Sequence, residues 1–274
     1  MVRISGVRVA LLLLPALVAG CAGEGLFSAS GLPSDDLPTS GSATGSAANA
    51  SAPEGATKTA QSGFNPFDTP MGPPPSERVV IEHPTEAQIM KTGSLPEMAF
   101  GRPNAPVTIV QYASLTCPYC RRFHKETFPK LKKEFIDTGK VRYILREFPI
   151  GKTSGAATVA LRCAKPEKYL ELYGKFLAQQ PAWVSQEVRL DPIFKVASQV
   201  GMTRAQFDAC RENQAMISGL KWVKDRGRTL GIIGTPNFFV GGTLVKKVLT
   251  IEEIRAMVRP LLSARATAEA GKSD

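Results

Sequence analysis

Histidine is scarce in this chain: His83 and His124 are the only two among 274 residues. A histidine-based proton relay or a histidine-rich metal centre therefore has little to draw on. Long apolar runs are missing as well. The longest, Val9 to Ala19, is interrupted by Pro15 and falls short of the roughly 20 apolar residues that a membrane-spanning helix needs. Acidic side chains are outnumbered, with 24 Asp plus Glu against 34 Lys plus Arg, a net charge of +10. So basic a chain can meet nucleic acid, anionic lipid or acidic protein surfaces, and charge alone does not choose among them. No basic run interleaved with aromatics is present, which counts against nucleic acid. The excess is unevenly placed. Residues 22 to 76 hold Glu24, Asp35, Asp36, Glu54 and Asp68 against Lys58 alone, so the residues beyond them carry more than the whole-chain surplus.

Core-forming residues are lacking over most of the N-terminal third. Residues 1 to 20 combine a short basic start, the apolar run and a small-residue end, the pattern of an export signal. Leu17-Val18-Ala19-Gly20-Cys21 resembles the bacterial lipobox. The resemblance implies cleavage before Cys21 and a diacylglycerol on its sulfur; an ordinary signal with an incidental cysteine is the alternative. Ala22, rather than Asp, follows the cysteine and tilts the expectation towards the outer membrane. Residues 21 to 76 are rich in Ser, Ala, Gly, Thr and Pro. Such a composition buries too little apolar surface to offset its ordering entropy, so the stretch reads as a tether. As a flexible coil it spans roughly 40 Å. The folded domain is expected over 77–274, where Arg78-Val79-Val80-Ile81 is a candidate edge strand and Thr85 to Met90 a candidate helical turn.

The rest of the chain is organised around Ser114-Leu115-Thr116-Cys117-Pro118-Tyr119-Cys120-Arg121-Arg122-Phe123-His124. Val107 to Tyr112 is a β-branched run with the length of a buried strand, and the motif follows it directly. Two cysteines three apart share one face of a helical turn, within reach of a disulfide. Pro118 suits the first helical position, which puts Cys117 at the helix mouth. There the orphan N–H groups and the positive dipole end lower a thiol's pKa, and Arg121, Arg122 and Lys125 add positive charge. Cys117 is thus the expected nucleophile and Cys120 its resolving partner. His124, one turn after Cys120, leaves a Cys117–Cys120–His124 metal cluster open as a rival reading, and an inert structural bridge is another.

Beyond the motif the helix continues through Phe123, Phe128, Leu131 and Phe135, with a bend expected at Pro129. Val141 to Phe148 alternates like a second strand. Strand, helix and strand in this order build a right-handed parallel unit with the motif at its carboxyl edge. From about Gly151 to Thr229 the periodicity turns helical and stays so, which reads as an inserted helical subdomain. Thr203 and Gln206 have capping-box spacing. Trp183 and Trp222 read as core or packing residues. Phe238-Phe239-Val240 is a strand, Gly241-Gly242 a hairpin turn, and Ile251 to Leu262 an amphipathic helix.

Cys163 and Cys210 remain. With Cys21 assigned to lipid and Cys117 paired locally with Cys120, these two are left for each other as a structural disulfide inside the insert. Such a bridge closes a long loop and stabilises by about 4 kcal/mol in the chain-entropy picture. Two buried free thiols are the competing reading, less natural in an exported chain.

Taken together, Cys117-Pro118-Tyr119-Cys120 after a strand, the helical insert, and Gly234-Thr235-Pro236 before a strand resemble the thioredoxin superfamily. Within it the pattern is similar to the bacterial periplasmic DsbA-like oxidoreductases, over about Ala99 to Leu262. The resemblance implies an α/β, thioredoxin-like fold with an inserted helical subdomain. It implies a thiol:disulfide oxidoreductase that introduces disulfides into exported proteins through Cys117 and Cys120, supported by Pro118 and Tyr119, with no metal and no organic cofactor. Thr235-Pro236 would be a cis peptide facing the cysteines, its backbone pairing with an extended substrate segment. A quinone-linked DsbB-type membrane oxidase would restore the disulfide. The implied setting is periplasmic, at a membrane through lipidated Cys21, and no extra dimerisation domain follows the tether, which favours a monomer. The dipeptide between the cysteines is Pro-Tyr where the best-known member has Pro-His. A reductase or isomerase on the same fold, and a lipid-anchored metal-binding module using the Cys pair and His124, are the rival functions.

Overall fold

The computed structural model describes residues 79–271. The export signal, Cys21 and the tether expected over residues 1 to 76 lie outside the described residues. The first described helix, Glu86–Met90 (α1), starts at Thr85, whose hydroxyl accepts from the Gln88 N–H while the Gln88 side chain caps Thr85 in return. Val79 to Ile81, expected as an edge strand, forms none: Val79 is largely exposed, and the Ile81 N–H instead donates to the Thr229 carbonyl at 2.9 Å. The edge is taken by Met98–Phe100 (β1), which precedes the central strand by only a short turn.

Val107–Ala113 (β2) and Val141–Glu147 (β3) run parallel at the centre of a five-stranded sheet of order β1-β3-β2-β4-β5, where β4 is Asn237–Val240 and β5 is Thr243–Val245. The crossover from β2 to β3 passes through Pro118–Glu126 (α2), Phe128–Leu131 (α3) and a π-helical turn at Lys132–Ile136. Pro129 has no N–H to continue α2, and the helix breaks there as its chemistry requires. β1 and β4 flank the parallel pair in antiparallel sense, and β4 turns into β5 through Gly241-Gly242, both with positive φ. A turn with two left-handed central residues matches the twist of the strands it joins.

β2 and β3 are buried on both faces, not only on one. Arg146 and Glu147 of β3 are polar yet buried. Each is held by an opposite charge: Arg146 pairs with Glu97 at 2.5 Å, and Glu147 with Arg162 at 3.3 Å. A buried charge without such a partner would be strongly destabilising. One sheet face packs Ile89, Leu230 and Ile232 over Tyr112 and Phe239. The other joins the larger core shared with α2 and the helical insert.

The insert comprises Lys152–Arg162 (α4), Pro166–Ala178 (α5), Gln180–Trp183 (α6), Leu190–Ala197 (α7), Arg204–Glu212 (α8) and Gln214–Thr229 (α9). Every residue of α4 from Thr153 to Leu161 is buried; its small residues let neighbouring helices approach on all sides. Thr203 and Gln206 form the capping box that starts α8. Cys163, capping α4, is bonded to Cys210 of α8, with Cα atoms 6.1 Å apart. Trp183 is buried and donates its indole N–H to the Phe176 carbonyl at 2.8 Å, while Trp222 packs against Gly93. The last helix, Ile251–Ala270 (α10), runs past the expected end at Leu262. Its extension is rich in alanine, is exposed over Ser263 to Ala268, and needs only helix propensity.

Candidate active site

The functional end of the molecule lies where β2 gives way to α2. Cys117 is the N-cap residue of α2 in extended conformation, Pro118 takes the first helical position, and the Arg121 N–H closes the first turn onto the Cys117 carbonyl at 3.2 Å. Residues just before it are tied down by short polar side chains. The Ser114 hydroxyl meets Ser154 of α4 at 2.8 Å and accepts from the Ile150 N–H at 3.2 Å; the Thr116 hydroxyl donates to the Ile150 carbonyl at 3.2 Å. Gln180 of α6 donates its amide to the Leu115 carbonyl at 2.7 Å and to the Cys117 carbonyl at 3.1 Å. The insert thereby fixes the approach to the motif from above.

Cys117 and Cys120 are both free thiols here, Cys117 partly exposed and Cys120 completely buried. Thr235-Pro236 is a cis peptide, and the Cys117 Sγ–H donates to the Thr235 carbonyl at 3.1 Å. A chain position 118 residues away is thus brought against the motif. Tyr119 of the motif stands 56% exposed, and Ile233, shortly before Thr235, 82% exposed. Tyr119, Ile233 and Thr235-Pro236, with Lys246 and Lys247, wall a shallow cleft of about 350 Å³.

The two thiols are driven apart electrostatically. The Cys117 pKa is lowered to about 6, first by a hydrogen bond from the Cys120 thiol, then, against the cost of burial, by the Thr235 side chain and the backbone N–H groups of Cys120 and Tyr119. Burial pushes the Cys120 thiol in the opposite direction, well above the ordinary range. One proton is therefore held on Cys120 while Cys117 ionises. The Thr235 hydroxyl has no partner while Cys117 is protonated; the thiolate supplies the acceptor it lacks, and the contact to the Thr235 carbonyl belongs to the thiol form. The helix mouth acts as expected through its first N–H groups, and Arg121, Arg122 and Lys125 are not among the largest causes of the shift.

His124 does not join the cysteines. Its ring stacks on Phe128 at 5.1 Å and meets Tyr173 edge-on at 5.2 Å, and burial lowers its pKa to about 4. Among the described residues no three His, Cys, Asp or Glu side chains are grouped to hold a metal ion, so the Cys117–Cys120–His124 cluster is not assembled. Aromatic packing has claimed the imidazole instead. Cys163 and Cys210 lie in the insert as a formed bridge beside Met216. Gln180 is the residue that sequence reasoning passed over: a lone glutamine before Pro181 carries no spacing or pattern, and its role exists only once α6 folds over the motif. Ser114 and Ser154 were equally silent.

Chemically, the arrangement offers a half-exposed, readily ionised sulfur next to a buried, protonated one. That is the equipment for thiol–disulfide exchange, which needs an accessible attacked sulfur and a second one to close or release it.

Comparison with known proteins agrees with this geometry. A protein of Rickettsia conorii, named provisionally as a protein-disulfide oxidoreductase, is 30% identical over 151 residues, 53% of either chain. Disulfide bond formation protein D of Bacillus subtilis is 25% identical over 172 residues, 60% of this chain and 77% of that protein. The chain spans about half the length of the first of these relatives. The crystal structure of Wolbachia pipientis alpha-DsbA1 superposes with a TM-score of 0.61 at 23% identity, covering 66% of this chain and 98% of that one, and shares the fold. A family model described as thioredoxin matches residues 94–259, more than half of the chain and all of the site, and the protein belongs to the thioredoxin family.

Proposed function

We propose that this protein is a thiol:disulfide oxidoreductase that introduces disulfides into exported proteins, with Cys117 as the attacked sulfur and Cys120 as its resolving partner. The observation that carries the reading is the pairing of a partly exposed Cys117, its pKa lowered to about 6, with a buried Cys120 whose pKa is raised. A stabilised thiolate favours the reduced form, which makes the disulfide the better oxidant. In the forward reaction a substrate thiolate attacks Cys117 Sγ of the oxidised pair. The Cys117–Cys120 bond breaks, and Cys120 leaves and takes up a proton. A second substrate thiolate then attacks the substrate sulfur of the mixed disulfide, forming the product bond and expelling Cys117 as thiolate. Two electrons pass from the substrate to the dithiol, and no further cofactor enters.

Substrate main chain is expected to lie along the Thr235-Pro236 loop, between exposed Tyr119 and Ile233, as an added extended segment. Pro118 supports the site by starting α2 at the right residue. A DsbB-type, quinone-linked membrane oxidase is the partner that fits an oxidising role. The setting that suits these partners is the periplasm, at a membrane through Cys21 and the tether of residues 21 to 76, with the outer membrane favoured.

Equilibration of the protein with glutathione buffers tests the direction. An oxidase should poise well above thioredoxin, whose potential is about −270 mV. A potential at or below that value would remove the oxidising assignment and leave a reductase.

A further inference from the structure

A second cleft opens on the other side of Tyr119. It measures about 730 Å³ and lies between α2 and α5, lined by Pro118 and Tyr119 together with the apolar Leu177 and Ala178. That volume lies in the range of ligand-binding clefts. Three cations line it, Arg121, Arg122 and Lys125, against a single carboxylate, Glu126. None of the three enters an ion pair among the described residues, so their charges are open to a ligand. Arg122 lies over the Tyr119 ring at 5.9 Å and so links the cleft to the sulfur end of the molecule. His124 reaches the cleft neutral, held between Phe128 and Tyr173.

Tyr119 is a wall of both clefts. An extended segment lying along Thr235-Pro236 with its cysteine at Cys117 therefore has only one tyrosine to pass before it enters the larger, cationic one. Unpaired guanidinium and ammonium groups beside an apolar wall suit a chain that brings both carboxylates and aliphatic surface. We propose that the α2–α5 cleft is a substrate subsite that selects client segments carrying Asp or Glu a few residues from the reacting cysteine, with Arg121, Arg122 and Lys125 as the groups that read them. This rests on the exchange activity proposed above and names the substrate class within it. Arg121 and Arg122 act here on the client; the largest causes of the Cys117 ionisation are other groups.

The test uses the full chain and three dithiol peptides of identical length and cysteine spacing, bearing two Glu, two Gln or two Lys on the flank that enters the cleft. At low ionic strength kcat/KM should rise in the order Lys, Gln, Glu, with about fivefold between neighbouring peptides, and the spread should collapse in concentrated salt. The double variant R122E/K125E should reverse the order. K133E/K195E, an equal change of net charge at exposed positions away from the cleft, should preserve it. Equal rates for the three peptides, or loss of the preference in K133E/K195E to the same extent as in R122E/K125E, overturn the subsite; in both cases the Gln peptide is still oxidised and the exchange activity stands. Failure to oxidise any of the three peptides removes the activity itself, and the subsite with it.

Discussion

The molecule holds two cysteine pairs, and they differ in almost every physical respect. Cys117 and Cys120 sit on one helical turn at the edge of the sheet, both reduced, one partly exposed and one buried. Cys163 and Cys210 are bonded across 47 residues, joining the end of α4 to α8 beside Val159, Met216, Ile217 and Leu220. In the first pair, opening the bond releases almost no chain, so the cost of cycling is small. In the second, opening it frees a long loop and with it the register of the insert. The surroundings sharpen the contrast. Backbone N–H groups, the Cys120 thiol and the Thr235 side chain converge on Cys117, whereas the bridge packs against the apolar cluster of Val159, Met216, Ile217 and Leu220. Exchange chemistry follows from where a sulfur sits relative to a helix mouth and to polar donors, more than from the presence of a pair.

The strongest way to break this comparison is to exchange the roles. Cys117→Ser should abolish disulfide transfer to a dithiol peptide, by at least about a thousandfold, while thermal unfolding barely changes. The double variant C163A/C210A should do the reverse: transfer within about twofold of the parent, and a loss of roughly 2–4 kcal/mol in denaturant unfolding. If the second variant lost transfer as completely as the first, the division between reactive pair and staple would be wrong.

A smaller effect is expected at the bracket between the two regions. Gln180→Leu leaves the Leu115 carbonyl without its side-chain donor and removes one of two donors from the Cys117 carbonyl, which keeps the Arg121 N–H, at a cost of about 1–3 kcal/mol. Stopped-flow transfer should slow by about tenfold, because the loop that presents Cys117 loses its anchor. Rates equal to the parent would show that the insert merely covers the motif.

Ionisation can be read directly. Alkylation of the reduced protein should rise with pH to a half-point at about 6, the Cys117 value, and mass mapping should find Cys117 modified and Cys120 spared. Linkage has a defined sign here. The pKa is depressed in the folded dithiol, so that form gains stability as pH climbs from about 6 towards the ordinary thiol range, and loses it as pH falls back through that value. The disulfide form has no such dependence, so the difference between the two should grow with pH across this window. The mildest change is Thr235→Val, which removes one donor to the thiolate and should raise the alkylation half-point by less than about one unit.

Much of the site could be read before any coordinates. The β-branched run ending at Tyr112, the cysteines three apart and Pro118 between them carry a local message, because helix starts are set by residues close in sequence. The capping box at Thr203 and Gln206, the Gly241-Gly242 turn and the helical run of the insert are local in the same way. Other features had no local signal. Val79 to Ile81 has strand propensity, yet the Ile81 N–H is taken by the Thr229 carbonyl and the place beside β3 is occupied by β1. Arg146 and Glu147 gave β3 a half-exposed pattern, although Glu97 and Arg162 from elsewhere in the chain neutralise them inside the core. His124 had the spacing of a ligand and was taken by two aromatic neighbours.

The amino-acid order alone determined that a thiol pair would stand at a helix entrance after a buried strand, since turn, proline and cysteine spacing act over a single helical turn. It also determined that the insert would be helical. Tertiary structure decided how far the two thiols diverge: the Thr235 side chain and the cis peptide arrive from far along the chain, and complete burial raises Cys120 while the rim leaves Cys117 open. Desolvation and donor geometry are properties of the assembled fold, and no stretch of sequence contains them by itself.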